Sequence, residues 1–154
     1  MAKLSAGILL YRRSNDVLEV MLVHPGGPLW KNKDLGAWSI PKGEFLPGQD
    51  PLETAKREFK EETGSAIKGA FRELTPVRQA SGKLVYAFAV EGDLDVTKIK
   101  SNTFPLEWPP RSGKVVDTPE VDRGEWFHID TARQKLNPAQ TGFLDQLVSL
   151  LSRA

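Results

Sequence analysis

The stretch Gly43-Glu44-Phe45-Leu46-Pro47-Gly48-Gln49-Asp50-Pro51-Leu52-Glu53-Thr54-Ala55-Lys56-Arg57-Glu58-Phe59-Lys60-Glu61-Glu62-Thr63-Gly64-Ser65 decides how the rest of the chain is read. Local rules predict a helix over 51–63. Asp50 can cap it, Pro51 suits its first position, and Glu53 stands three residues after the cap as in a capping box. Gly64 can end it in a left-handed conformation. At about 100° per residue, Leu52, Ala55 and Phe59 fall on one stripe that should face a core, while Glu53, Lys56 and Lys60 lie well away from it. Glu58, Glu61 and Glu62 form an arc of their own, and Glu62 borders the apolar stripe. Like charges at these spacings cost a helix roughly 0.2–0.5 kcal/mol per pair, and a carboxylate at a core boundary adds a desolvation cost. A hard cation reverses that cost, because Mg²⁺ prefers carboxylate oxygens. The geometry alone leaves two readings open, an acidic solvated face and a metal site.

Outward from this helix, Ala6–Arg12 and Glu19–His24 read as strands joined by a turn at Ser14-Asn15-Asp16. Residues 25–36 form a loop rich in Gly, Pro and Lys. Trp38-Ser39-Ile40 reads as a short strand, Ala66–Leu74 and Lys83–Val90 as further strands, and residues 91–114 as irregular chain. Glu125–Ile129 reads as a strand, and Asn137-Pro138 opens a helix in which Phe143, Leu144, Leu147 and Leu151 recur at helical spacing. Strands before and between helices predict an α/β or α+β layered domain. The 154 residues suit one domain, 1–154, with one core. The absence of cysteine excludes disulfides and thiolate metal sites, and two histidines argue against a His-rich zinc site. A net charge of +1 argues against a protein built to coat nucleic acid. The apolar run at 6–11 is too short for a signal segment or a membrane span, so the expectation is a cytoplasmic protein without a membrane partner.

Residues 43–65 closely resemble the Nudix box, GX5EX7REUXEEXGU. Gly43, Arg57, Glu58, Phe59, Glu61, Glu62 and Gly64 match at the right spacing. The resemblance implies a mixed β-sheet sandwiched between α-helices and a nucleotide pyrophosphohydrolase dependent on Mg²⁺, with Mn²⁺ as the alternative. It implies Glu58, Glu61 and Glu62 as metal ligands or base, with the backbone carbonyl of Lys42 completing the shell and Arg57 orienting a carboxylate. A further acid is expected from a loop before Trp126-Phe127. Glu120 is the candidate, with Glu107 in reserve. Two positions depart from the pattern. Ser65 replaces an aliphatic residue, and Gln49 replaces the first glutamate, losing a charge and most of its value as ligand or base.

For the substrate, Trp30 and Trp108 sit in Gly- or Pro-rich loops and are candidates to stack on a base. Lys42 is the candidate phosphate contact, ahead of Lys31, Lys33, Lys83 and Arg111. The expected substrate is a small nucleotide in which a nucleoside diphosphate is linked to another group, and Pro41-Lys42-Gly43 leans toward a dinucleoside polyphosphate. The alternative is a Nudix-fold module that senses a nucleotide with weak or no hydrolysis, which Gln49 favours and the intact Arg57–Glu62 run opposes. An RNA-end hydrolase lacks the basic tract with interleaved aromatics. Gln49→Glu is expected to leave turnover unchanged or raise it, since the N-terminal end of the helix favours negative charge. Steady-state kinetics of the variant check this, and a collapse in kcat would mean that the site is built around the amide.

Overall fold

The computed structural model describes residues 3–152. Its centre is β1 (Leu4–Ser14), in which residues 5–11 are all buried. An unbroken buried run of this kind requires cover on both faces of the sheet. β1 turns back into β2 (Val17–Pro25) through Asn15 and Asp16, at φ 51° and 64°. Both are residue types that tolerate the left-handed region demanded by a two-residue hairpin turn. β3 (Lys42–Phe45) pairs antiparallel with the start of β1 and leads through a short loop into α1 (Pro51–Thr63). β4 (Arg72–Glu73), β5 (Val77–Arg78) and β6 (Leu84–Glu91) follow, then β7 (Thr103–Glu107), β8 (Val115–Pro119), β9 (Val121–His128), α2 (Ile129–Lys135) and α3 (Gly142–Leu151).

The main sheet has the order β4-β6-β1-β2-β9, with β3 on β1 and β5 on β6. β1 and β6 run parallel and the other pairs antiparallel, so the sheet is mixed. One face packs Ala6, Ile8, Leu10, Met21 and Val23 against Ala55 and Phe59 of α1. The other packs Leu9, Val20 and Leu22 against Ala132, Phe143, Leu144 and Leu147 of α2 and α3. The result is the expected sheet sandwiched between helices. β7 and β8 form a separate hairpin.

Several expectations are corrected. Between Ala66 and Leu74 only Arg72 and Glu73 join the sheet, because Ala66, Lys68, Gly69 and Ala70 are exposed while Ile67 and Phe71 pack toward α1's side. Trp38 and Ser39 make isolated bridges to Leu136 and Val23 rather than a strand, and the strand proper starts after Pro41. The stretch 91–114 contains β7, hidden in the sequence by its prolines. β9 starts at Val121, four residues earlier than expected. Asn137 caps only a short 3-10 turn at Pro138–Gln140, accepting from the Ala139 amide, and α3 begins at Gly142.

The helix α1 follows local rules closely. The Asp50 side chain accepts from the Leu52 amide at 3.0 Å, and Gly64, at φ 83°, returns its N–H to the Lys60 carbonyl at 2.8 Å. Glu53 pairs with Lys56 instead of closing a capping box. Asp50→Ala is expected to destabilise the fold by about 1 kcal/mol, read as a lower denaturant midpoint at unchanged slope.

Candidate active site

Helix α1 lies across the sheet so that its acidic arc faces the loop entering β3. A methyl group at Gly43 would overlap the carboxyl of Glu58, so the bare backbone of this glycine is what lets the helix come down onto β3. Glu62, at 6% exposure, is buried beneath the same edge, where the backbone amide of Lys42 bonds to it. Glu120, in the turn between β8 and β9, supplies a third carboxylate. Oxygens of Glu58, Glu62 and Glu120 lie within 4.8 Å of one another. Glu62, Glu120 and Lys42 share the wall of a cleft of about 150 Å³ with Pro25 and Ser39.

Glu120 reaches the cluster through backbone bonds. Its N–H donates to the Asn102 carbonyl at 3.0 Å, and the Asn102 N–H donates to the carbonyl of Glu61 at 2.8 Å. Its own carbonyl accepts from the Gly26 amide at 3.0 Å. The segment 100–102 thus runs along the end of α1, where Lys100 also bonds to the Thr63 carbonyl, and carries Glu120 to the helix.

The electrostatics are unfavourable in the protein alone. Burial first, then Glu58 and Glu120, push Glu62 up to about 9, against the Lys42 backbone bond and ammonium. Burial, followed by the charge and side-chain contact of Glu61, pushes Glu58 up to about 7. Glu120 is raised by burial and by Glu61. Lys42 moves the other way, lowered by burial and by Lys83, and held partly in check by Glu62, Glu44 and Glu58. Glu58 Oε2 is buried with no hydrogen-bond partner among the described residues. An orphaned carboxylate oxygen beside two other raised carboxylates fits a hard divalent cation: the donors are all oxygen, and positive charge would reverse each shift. Glu58, Glu62 and Glu120 are the residues that would hold it.

The other candidates are placed as follows. Glu61 lies outside the tight triplet but against Glu58, and Arg57 sits 3.8 Å from Glu61 on the exposed side. Glu107 is not part of the cluster, because its carboxylate accepts from the amides of Arg111 and Gly113 and caps the β7–β8 loop. Trp30 is exposed in the loop after β2, with the Lys33 ammonium 5.0 Å above its ring. Trp108 is half-buried at the end of the β7–β8 hairpin, and neither tryptophan lines the cleft. Gln49 is turned into its own loop, where its carbonyl accepts from Leu46 N–H at 2.8 Å. Ser39 and Pro25 are cleft residues that went unnoticed in the sequence, and neither carries a local signal.

The family model described as NUDIX domain matches residues 1–147. The mouse (Mus musculus) bis(5'-nucleosyl)-tetraphosphatase [asymmetrical] is 34% identical over 109 residues, covering 62% of this chain and 70% of the relative. Among solved structures, a C. elegans Ap4A hydrolase in a binary complex superposes with a TM-score of 0.69 at 20% identity, covering 99% of this chain and all of that one. The NUDIX domain of Shewanella oneidensis NrtR, complexed with ADP ribose, gives 0.66 at 17% identity over 98% of this chain and 89% of that one.

The raised acids carry a sign. A carboxyl whose folded pKa exceeds its unfolded value binds more protons in the native state, so stability falls as pH rises between the two values. In chelator, the protein is expected to lose thermal stability from about pH 4.5 up to about 9, the span set by Glu62, with the Glu58 contribution complete near 7. Glu62→Gln should flatten that decline, and added Mg²⁺ should restore wild type but not the variant. Melting temperature against pH, with and without Mg²⁺, tests this. A wild-type profile that stays flat in chelator would contradict it.

Proposed function

The chain belongs to the Nudix domain family, and from that premise we propose that it is a Mg²⁺-dependent pyrophosphohydrolase of a dinucleoside polyphosphate. The observation that carries the reading is the triplet Glu58, Glu62 and Glu120 converging within 4.8 Å at the end of α1, beside Lys42. The likeness to the mouse tetraphosphatase supports the substrate class.

In the reaction, water oxygen bonds to one phosphorus, the bridging oxygen leaves with the electron pair of the broken P–O bond, and the water's proton passes to a glutamate of α1. When bound, a divalent cation neutralises charge on the phosphoryl oxygens. Glu58, Glu62 and Glu120 hold that position through their carboxylate oxygens. Glu58, raised to about 7 in the protein alone, would have that shift reversed by the cation and so serves as a ligand. Glu61, in contact with Glu58 and held from outside by Arg57, lies outside that donor set and is the helix glutamate free to take the proton. Lys42, on the cleft wall, contacts the phosphate chain, and the burial that lowers its pKa also strengthens its attraction for an anion. Mg²⁺, or Mn²⁺ in its place, suits this all-oxygen donor set.

Chromatographic separation of the nucleotide products formed from diadenosine tetraphosphate and from an oxidised nucleoside triphosphate, with and without Mg²⁺, tests the proposal. The tetraphosphate is expected to give the higher kcat/KM. Glu62→Gln should lower kcat at least ~100-fold, and Lys42→Ala should weaken the tetraphosphate preference. Binding without cleavage for any nucleotide would transfer the reading to a sensing module, the role that the Gln49 replacement favours. Preference for the triphosphate would remove the substrate assignment and leave the hydrolase.

A further inference from the structure

His24, near the end of β2, is fully enclosed, yet both of its ring nitrogens face acceptors. Nδ1 lies 3.0 Å from each carboxylate oxygen of Asp122, and Nε2 lies 2.6 Å from the carbonyl of Lys33. A carboxylate and a backbone carbonyl have no proton to give, so each of these bonds draws an N–H from the ring. A neutral imidazole has one, and both bonds together call for the imidazolium. Trp38 packs against the ring in a T-shaped arrangement at 5.1 Å, while Arg123 reaches the same Asp122 carboxylate at 3.5 Å.

The partners of this ring bear on the candidate site. Along the β2–β9 ladder His24 pairs with Arg123 but Pro25 pairs with Val121, so Asp122 is an extra residue bulged out of the ladder. A bulge bends its strand and re-aims the neighbouring side chains. Two residues upstream of Asp122 is Glu120, whose carbonyl is caught by Gly26 just beyond the bulge. The second partner, Lys33, lies in the 26–36 loop, whose Trp30 and Lys33 are stacked on each other.

We propose that His24, held as an imidazolium, is a positioning residue: it clamps Asp122 in the bulge that aims Glu120 at Glu58 and Glu62, and it ties the 26–36 loop to the same strand. The inference rests on the reading of Glu58, Glu62 and Glu120 as a cation site. A histidine that served only to fill space beside Trp38 would need neither a second ring proton nor any link to Glu120.

Two measurements on the full chain test it. The first is nitrogen–proton correlation spectroscopy of histidine-labelled wild type near pH 7.5, where His24 should show protons on both nitrogens and Asp122→Asn should reduce it to one. The second is Mn²⁺ binding, read by the paramagnetic resonance of the free ion, with no substrate present. Glu120→Ala should weaken Mn²⁺ binding. His24→Phe and Asp122→Asn should each weaken it about 10-fold or more, the scale of outer groups that orient a ligand. The double variant His24→Phe with Glu120→Ala should bind no worse than Glu120→Ala alone, because one residue acts through the other. Should His24→Phe fail to fold, Asp122→Asn, whose side chain is partly exposed, carries both readouts. A single ring proton in wild type, or losses that add in full, overturns the proposal. If Glu120→Ala weakens Mn²⁺ binding and the His24 and Asp122 variants do not, this inference alone fails. If Glu120→Ala has no effect, the cation-site reading fails and takes the inference with it.

Discussion

The close approach of the Glu58 carboxyl to the bare backbone of Gly43 is the contact on which the site depends. It brings α1 down onto β3, which places Glu62 under the Lys42 amide and sets the two helix carboxylates where Glu120 can meet them. Each part of this arrangement opposes stability in the protein alone. The acids crowd one another and are partly withdrawn from water, and they occupy the last turns of α1, the end at which the helix dipole disfavours negative charge. A fold that gathers its acids at such a position is organised around a positive charge.

The rest of the molecule supplies the rigidity to hold them there. β1 sits in the middle of the main sheet with apolar side chains on both faces, so α1 is backed by a sheet that is itself backed by α2 and α3. Ala55 and Phe59, fully buried, anchor the helix on the face next to its acids. The Asp50 cap and the Gly64 terminus fix where the helix begins and ends, and thereby the height of Glu58 and Glu62 above the sheet. The 100–102 segment extends this order to a part of the chain remote in sequence, handing the geometry of the helix end to Glu120 through successive backbone bonds.

Charge of both signs is concentrated along one edge of the sheet. Lys42 faces the acids from the cleft wall, and Lys83, just before β6, is paired with Glu44 on the same strand as Lys42. Burial and Lys83 push Lys42 toward its neutral form while the acids pull it back. A polyphosphate entering the cleft would change both balances at once, because it brings negative charge to the lysine and takes up the positive charge opposite the acids.

What could be read from the sequence was local. The helix 51–63 and its caps, the stripe of Ala55 and Phe59, the acidic arc with Glu62 at the core boundary and the β1–β2 hairpin follow from periodicity, capping chemistry and turn preference, all of which act over a few residues. The Gly43–Gly64 pattern carried the family because it encodes the same short-range geometry. Tertiary structure decided the rest. Glu120 and Glu107 are both acids in irregular sequence. One joins the cluster because the strap at 100–102 carries it there, and the other closes a hairpin turn. The β7–β8 hairpin could not be read because prolines mask its alternation, and the strand expected over 66–74 shrank to two residues because strand formation needs a partner edge. The turn of the Gln49 amide back to Leu46 is local and went unread, but nothing near His24 in the chain showed that it would meet Asp122 across a bulge. Contacts between residues some hundred positions apart depend on how the sheet assembles, and no short-range preference of the chain records that.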